Sequence, residues 1–596
     1  MIGVAVVVGA ALACFVAGWR GETVQHWIGL GVAGAICVVG PVRRCVTSLV
    51  ERLRELSRRQ LNVTTVWVFV LVCLYLFTTA WWQGRDLFPN WHDQQMTLTQ
   101  AQMLAHFRLW MPEHPCADFF ETFYVLVKPV YAPIYFPGAA LFYVPGAWLH
   151  SPSWVMPLIA SGLLAAVLFR VIAEMLDPAA GLLAVFLLVS LWIFRLLSIW
   201  SMSHMVFTLL AMWGVWSWLQ WRKKFSWGWA VSLGIAVGWM AITRPVDAVA
   251  YGVPLGLAVI RDLRRQRLIV WARSLVIMAL LGCPFLALQL VQDRGITGHW
   301  LKAPIQLYDD QEMPGLAAYG SRSVGDVKIT TTLPQKRAYE ERFILPTRKA
   351  YASQTWGQVF KSRSASLMRF ATPSLLLVLL AAVGLLAVRD VRKFVLVAPV
   401  FLFLVGYALY SEMLDHYCIT VTPGVIFCVV AGVGLASSAF GKWREVAYTG
   451  LALGVVGLSL TSLPEARHPR PDSDNSFDDD SWPATTFNYE ILPTQVKTPA
   501  LVLYRYYRPK NGVLEEGNPN DEPVYNVDVP WPDDAPIIRA HDLGARDKEI
   551  IEYYAKIQPG RKVYVVDRAE SPNLHAEYLG TAGELAGKLS GILPGR

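Results

Sequence analysis

Residues 64–83 read TTVWVFVLVCLYLFTTAWWQ, twenty positions without one charged side chain, preceded by Arg58 and Arg59 and followed by Arg85. At ~1.5 Å per residue a helix of that length crosses the ~30 Å hydrocarbon layer of a membrane, and it satisfies every backbone polar group within its own segment. Working outward, similar apolar runs occur at about 3–19, 25–42, 153–173, 179–197, 204–221, 227–243, 246–260, 269–291, 369–388, 394–410, 418–437 and 446–463. Together they predict an α-helical polytopic membrane protein with about thirteen transmembrane helices. Composition points the same way: only 16% of the 596 residues are charged and 54% are hydrophobic, where a soluble domain carries ~25% charged residues. A soluble protein is excluded.

Charge is unevenly divided. The net charge is +8, but from residue 464 onward 15 basic residues face 22 acidic ones, leaving the preceding body at +15. The cations fall in five clusters: Arg43 to Arg59, Arg222 to Lys224, Arg261 to Arg267, Arg389 to Lys393, and Lys442 with Arg444. On an alternating trace all five land on one side, the cytoplasmic signature of short membrane loops. This excess therefore reports topology, and no nucleic-acid partner is expected.

The parity divides the chain into three parts. Residues 1–63 hold two transmembrane helices and a basic cytoplasmic loop, with the N-terminus cytoplasmic. Residues 64–463 form the membrane body, with external loops at 84–152 and 292–368. Residues 464–596 form a small extracytoplasmic α/β domain, with strands expected at Ala500–Tyr504 and Lys562–Val566 and a helix at Asp547–Ile557. Between body and domain lies an acidic stretch, Pro471 to Asp480, with the composition of a linker. The eight cysteines show no disulfide framework or paired zinc spacing. Ala11-Leu12-Ala13-Cys14 faintly resembles a lipoprotein cleavage site, but no basic residue precedes its apolar run.

Chemistry is expected on the external side. Met96, Leu98, Met103, Leu104, Phe107 and Trp110 fall roughly on helical spacing, predicting a helix that lies along the interface between Asp93 and Trp110. Asp93 shares its loop with His92, Gln94, His106 and Glu121, and other external turns add Arg244, His299, Asp415 and His416. Arg244 begins an apolar run with Asp247 three residues on; it could anchor a helix end or present a charged fork to a lipid-linked phosphate. His92 beside Asp93 and Asp415 beside His416 raise a divalent metal as a question. Adjacent side chains diverge on a helix, so no metal site and no other cofactor is predicted.

His92-Asp93-Gln94-Gln95, then Ala105-His106-Phe107-Arg108-Leu109, then Phe119-Phe120-Glu121-Thr122-Phe123 resemble the first external loop of bacterial GT-C membrane glycosyltransferases. The likeness is strongest to the dolichyl-phosphate-mannose-transferase-like group. Tyr135-Phe136-Pro137-Gly138, Thr243-Arg244-Pro245, Pro304-Ile305-Gln306-Leu307-Tyr308, His416-Tyr417 and Val524-Tyr525-Asn526 follow in the same order. The resemblance implies transfer of a sugar from a polyprenyl-phosphate donor to a glycan, lipid or protein acceptor, at the external face of a bacterial plasma membrane. It implies Asp93 as catalytic base in an inverting displacement. Arg244 is the candidate for the donor phosphate, and His92, Gln94, Glu121, Tyr135, His299, Gln306, Tyr308, Asp415 and His416 are the candidate cavity residues.

The chain departs from the group in two places. Gln94 stands where a glutamate is common, and Ile134-Tyr135-Phe136-Pro137-Gly138 stands where a Lys-Tyr-Pro-Pro-Gly-like segment is common. A transporter or flippase for a lipid-linked or polar solute, or a non-catalytic glycan-assembly partner, stays open beside the enzyme. A transporter would place ionisable residues near the bilayer midplane, and the midspan positions here are mostly apolar.

Overall fold

The structure, a computed structural model, describes residues 28, 31–36, 39–316, 321–322, 324–372, 374–461, 482–506, 520–568, 571 and 573–592. The apolar run at 3–19, the cysteine motif at 11–14 and the acidic stretch Pro471 to Asp480 lie outside the described residues. The chain divides into two compact units. One comprises Met1–Arg85, Trp154–Leu286 and Gln354–Arg470; the other comprises Asp86–Ser153, Ala287–Ser353 and Pro471–Arg596.

The first unit is helical. Residues 64–83 fall on helix Arg58–Trp82, which Ser57 and Gln60 start as a reciprocal capping box. Among the described residues, Arg58–Trp82, Val155–Met175, Leu268–Thr297 and Val391–Ala408 have the length and hydropathy to cross a membrane; Trp356–Ala371 with Leu375–Leu385 adds a fifth if counted as one broken span. Leu268–Thr297 leaves Val276 54% and Leu280 64% exposed, a face that suits lipid and not water. The chain is an integral membrane protein.

Among the described residues fewer helices meet that length and hydropathy than there are apolar runs, because some runs are broken or short. The run at 179–197 divides at Leu191 into Pro178–Ser190 and Trp192–Leu197. Trp227–Ala241 and Thr422–Ser438 contain 15 and 17 residues, or ~22 and ~26 Å of helix.

Small residues allow these helices to pack closely. A Cβ added at Gly384 would lie 1.7 Å from the Cys428 carbonyl oxygen, and one at Gly432 would lie 1.9 Å from that of Leu380. Leu375–Leu385 and Thr422–Ser438 therefore meet backbone to backbone, the mode expected where lipid offers no hydrophobic drive for helix association. Ion pairs tie cations of the first two basic clusters to carboxylates, two of which, Asp262 and Glu445, lie within or beside other clusters. Arg54 pairs with Glu445 at 2.9 Å and Asp177 at 3.8 Å, Lys223 with Glu174 at 2.7 Å, and Arg222 with Asp262 at 3.0 Å.

The second unit is built on a sheet. Strands Ile537–His541, Ala500–Arg505, Lys562–Asp567 and Glu577–Thr581 lie in that order, the first three parallel and the last antiparallel. The amphipathic helix Asp547–Ile557 buries Ile550, Ile551 and Tyr554. The strand period of two sorts the central strand: Leu501 and Leu503 enter one core, while Ala500, Val502 and Tyr504 enter another with Phe487 and Leu492. The Leu501 face packs on Met96, Met103, Phe119 and Phe120, so the tail shares its core with the segment that follows Arg85.

That packing corrects the expected interfacial helix. The helix is His92–Ala105, and ten of its residues are buried, Gln94, Gln95, Thr99 and Gln100 among them. It is a core helix of the second unit. Phe107, with φ at 59°, lies beyond its end and is 89% exposed, so the apolar spacing continued past the point where the helix stops.

Candidate functional site

Asp93 lies in the first turn of His92–Ala105, where the partial positive charge of a helix N-terminus favours a carboxylate. It is half-buried, and the Tyr135 hydroxyl donates to its Oδ1 at 2.6 Å. Two turns along the same helix face, Gln100 donates from Nε2 to the Tyr135 carbonyl at 2.9 Å, and Gln292 does so at 3.3 Å. The Tyr135 ring packs against Tyr124 with centroids 5.6 Å apart. Tyr135 is thus held by its backbone and its ring while its hydroxyl orients the carboxylate, which leaves Asp93 with a defined direction and partial access.

The neighbours of Asp93 are tied into packing and hydrogen bonds. His92 stacks on Phe123 with centroids 4.0 Å apart. The Tyr525 hydroxyl gives its proton to the Phe123 carbonyl at 2.8 Å, which leaves a lone pair for His92 Nδ1 at 3.3 Å. Burial pushes the imidazole down to about 3, so the ring is neutral at physiological pH. Gln94 donates to Asn90 Oδ1 at 3.1 Å, and Ile134 packs with Leu126, Ala132 and Ile296. At these two departing positions the side chains make a local hydrogen bond and a core contact respectively.

Arg244 and its surroundings belong to the other unit. The guanidinium donates from Nε to Asp247 Oδ2 at 2.8 Å, from Nη1 to Ser203 Oγ at 3.1 Å and to His204 Nε2 at 3.0 Å, and from Nη2 to the Tyr407 hydroxyl at 2.8 Å. Asp247 is fully buried and also accepts from Tyr407 and Thr420, each at 2.7 Å. Arg244 sits over the Tyr417 ring at 4.6 Å. His416 packs edge-on to His204, 4.7 Å between centroids, and its Nε2 is buried with no hydrogen-bond partner. Asp415 is half-buried at the start of the same 3₁₀ turn. The structure thus brings Arg244 and His416 into one network; Asp247, Tyr407, Ser203 and Thr420 complete it. Only Asp247, three residues from Arg244, carried a local signal for that.

The remaining candidates are in the second unit. Glu121 Oε1 accepts from Thr331 Oγ1 at 2.7 Å and from Lys336 Nζ at 3.2 Å. Lys336 is 1% exposed and also pairs with Glu312 at 2.7 Å. The Tyr308 hydroxyl accepts from the Tyr124 amide at 3.3 Å, and Lys336 lies 5.0 Å from its ring. Gln306 caps its own helix by accepting from the Ala303 amide at 3.0 Å, and His299 is an exposed turn residue; neither has a site-like setting. Glu121, Glu312 and Lys336 are separated by up to 215 residues, and no local pattern joins them. No group of three His, Cys, Asp or Glu residues that could hold a metal ion occurs among the described residues.

No protein-family model and no curated protein matches the chain. Among solved structures it is similar to ArnT from Cupriavidus metallidurans in the apo state, at 11% identity and TM-score 0.43, over 85% of this chain and 93% of that one. It is also similar to the oligosaccharyltransferase AglB from Archaeoglobus fulgidus, in complex with an inhibitory peptide and a dolichol-phosphate, at 11% identity and TM-score 0.40, over 85% and 69%. A third is the arabinofuranosyltransferase AftD from Mycobacteria, mutant R1389S class 2, at 16% identity and TM-score 0.41, over 86% and 37%. All three are GT-C membrane glycosyltransferases. Identities this low transfer no residue role to the present chain.

Proposed function

We propose that the chain is a polytopic membrane glycosyltransferase that moves a sugar from a polyprenyl-phosphate donor to a glycan, lipid or protein acceptor. The proposed setting is the extracytoplasmic face of a bacterial plasma membrane, with the N-terminus cytoplasmic, the C-terminal α/β part outside, and about thirteen spans. One observation carries the reading: Tyr135, from the Tyr-Phe-Pro-Gly segment, holds the carboxylate of Asp93, from the His-Asp-Gln-Gln segment, at 2.6 Å. Two stretches that resemble the glycosyltransferase group separately thereby form one oriented base.

In the proposed reaction Asp93 takes the proton of an acceptor hydroxyl as its oxygen attacks the anomeric carbon. The bond from that carbon to the phosphate oxygen breaks, and the polyprenyl phosphate leaves with the electron pair. A single displacement inverts the anomeric centre. Arg244 is proposed to stabilise the departing phosphate, its fork held by Asp247, Ser203 and Tyr407. No divalent ion is given a step.

The test is sugar transfer by the purified full chain in nanodiscs from radiolabelled polyprenyl-phosphate sugars, with Asp93→Asn beside wild type and EDTA beside buffer. Asp93→Asn is expected to lower transfer by ~10²–10⁴-fold with the melting temperature kept. Full transfer by the folded variant overturns the base assignment, and transfer abolished by EDTA overturns the metal-free reaction. Absence of transfer from every donor overturns the enzyme reading in favour of transport or assembly.

A further inference from the structure

A cavity of about 530 Å³ opens in the second unit, lined by Glu121, Glu312, Thr332, Leu333, Lys128 and Arg546 among others. Its electrostatics are unusual for a site near so many charges. At its rim Asp118 is paired with Lys128 at 2.6 Å and Arg546 at 2.9 Å, and Arg546 pairs in turn with Glu549 at 3.0 Å, so two carboxylates balance two cations there. Behind the wall a single buried cation, Lys336, serves both Glu121 and Glu312, so this group keeps one net negative charge. An anionic ligand would meet repulsion here.

The hydrogen-bonding capacity is equally one-sided. Each glutamate commits Oε1 to Lys336, and Glu312 Oε2 is buried with no hydrogen-bond partner. Buried acceptors left in that state are costly and call for donors. Thr331 and Thr330 stiffen the wall: Thr331 Oγ1 donates to Glu121, and Thr330 Oγ1 donates to the carbonyls of Gln311 at 2.6 Å and Glu312 at 3.0 Å. Leu126 and Leu333 supply apolar surface beside them. A ligand suited to this lining is rich in hydroxyl donors, carries no negative charge, and has a carbon face.

The cavity is also connected to the proposed base. Lys336 lies over Tyr308, whose hydroxyl accepts from the Tyr124 amide, and the Tyr124 ring packs on Tyr135, which holds Asp93. We infer that this cavity binds an uncharged, polyhydroxylated sugar unit, with Glu121 and Glu312 accepting its hydroxyls, and that it is the acceptor side of the reaction. Only the word acceptor rests on the glycosyltransferase reading; the binding of a neutral glycan does not.

The experiment is ligand titration of the full chain in nanodiscs with three probes of equal length: mannotriose and arabinotriose, both neutral, and trigalacturonate, which carries three carboxylates. Thr332→Trp fills the cavity from an exposed wall position without touching the Lys336 pairs, and Glu312→Gln removes one acceptor charge. At least one neutral trisaccharide is expected to bind wild type at about 10 mM or below, and both variants are expected to weaken it by about tenfold or more. The melting temperature of Thr332→Trp is expected to stay at the wild-type value. Failure of both neutral probes, equal binding by Thr332→Trp, tighter binding of trigalacturonate, or binding that appears only with added calcium or manganese each overturns the inference. Asp93→Asn separates the two readings: it is expected to bind the neutral probe as wild type does while transfer is lost. Neutral binding in a chain that transfers nothing sinks the enzyme reading alone. Transfer without cavity-dependent binding sinks this inference alone.

Discussion

Asp93 and Arg244 both stand at the start of a helix, and their surroundings are opposite. Asp93 occupies the first turn of His92–Ala105, where the helix dipole favours its charge, so a half-buried carboxylate can stand there with a tyrosine hydroxyl to aim it. Arg244 is the N-cap of Pro245–Leu263, where the same dipole opposes a cation. The chain answers with Asp247 in the first turn, and the burial of that aspartate then draws in Tyr407 and Thr420. The carboxylate can serve chemistry at little structural cost, whereas the cation is part of what holds its unit together. Exposure and dipole sign, rather than residue type, separate a carboxylate left partly open from a cation tied into a buried network.

The comparison breaks most visibly at Arg244. Arg244→Met leaves Asp247 buried and unpaired and is expected to destabilise the chain by ~3–5 kcal/mol; adding Asp247→Asn is expected to recover much of that. Thermal unfolding of the two variants decides it, and an unchanged midpoint in the single variant would remove the structural role. The wild-type match between charge and setting can also be sharpened with pH. Burial, reinforced by Glu312, pushes the Glu340 carboxyl up to about 8 from its ordinary 4.5. The folded chain then holds a proton that the unfolded chain has released, so stability is expected to fall as pH rises through the window from 4.5 to about 8. Glu340→Gln should flatten that slope, and a slope that survives the substitution assigns it to other groups.

Smaller effects bear on the Asp93 side. Tyr135→Phe removes the hydroxyl that aims the carboxylate, and transfer is expected to drop by ~2–10-fold, the worth of one hydrogen bond of ~0.5–1.5 kcal/mol. A drop as large as that of Asp93→Asn would make the tyrosine a participant in proton transfer. His299→Ala, at an exposed turn, should change stability by no more than ~0.5 kcal/mol and leave transfer alone. A loss of transfer there would show that exposure is a poor guide to function in this loop.

Much of the fold was readable before any contact was known. The helix over 64–83, the strands at 500–504 and 562–566, and the helix at 547–557 follow from runs and periods only a few residues long, and all are present. The helix after Asp93 was legible as a helix but not as a buried one. Its polar residues Gln94, Gln95 and Gln100 gave no sign of burial, and inside the fold they bond with Asn90, Tyr489 and the Tyr135 carbonyl, while Gln95 Nε2 is buried with no hydrogen-bond partner. Hydrophobic pattern reports burial only when the buried polar groups are few, and here they are paired with partners up to 394 residues away. The site divides similarly. Asp93, Tyr135 and Arg244 stood out by motif, while Lys336 and Glu312 had nothing local to mark them.

The sequence by itself determined the membrane class, the gathering of cations in clusters between apolar runs, the starts of helices such as Ser57 and Gln60, and the candidacy of Asp93. Each of these depends on hydropathy, charge or capping over a turn or two, interactions whose partners are adjacent in the chain. Only the tertiary structure decided that Tyr135 orients Asp93, that Tyr407, 163 residues away, closes the network on Arg244, and that Lys336 serves two glutamates beside a cavity. Such contacts join residues whose separation along the chain is unconstrained, and side-chain hydrogen bonds and ion pairs act over a few ångströms of space; nothing in the order of residues encodes them until the backbone has brought them together.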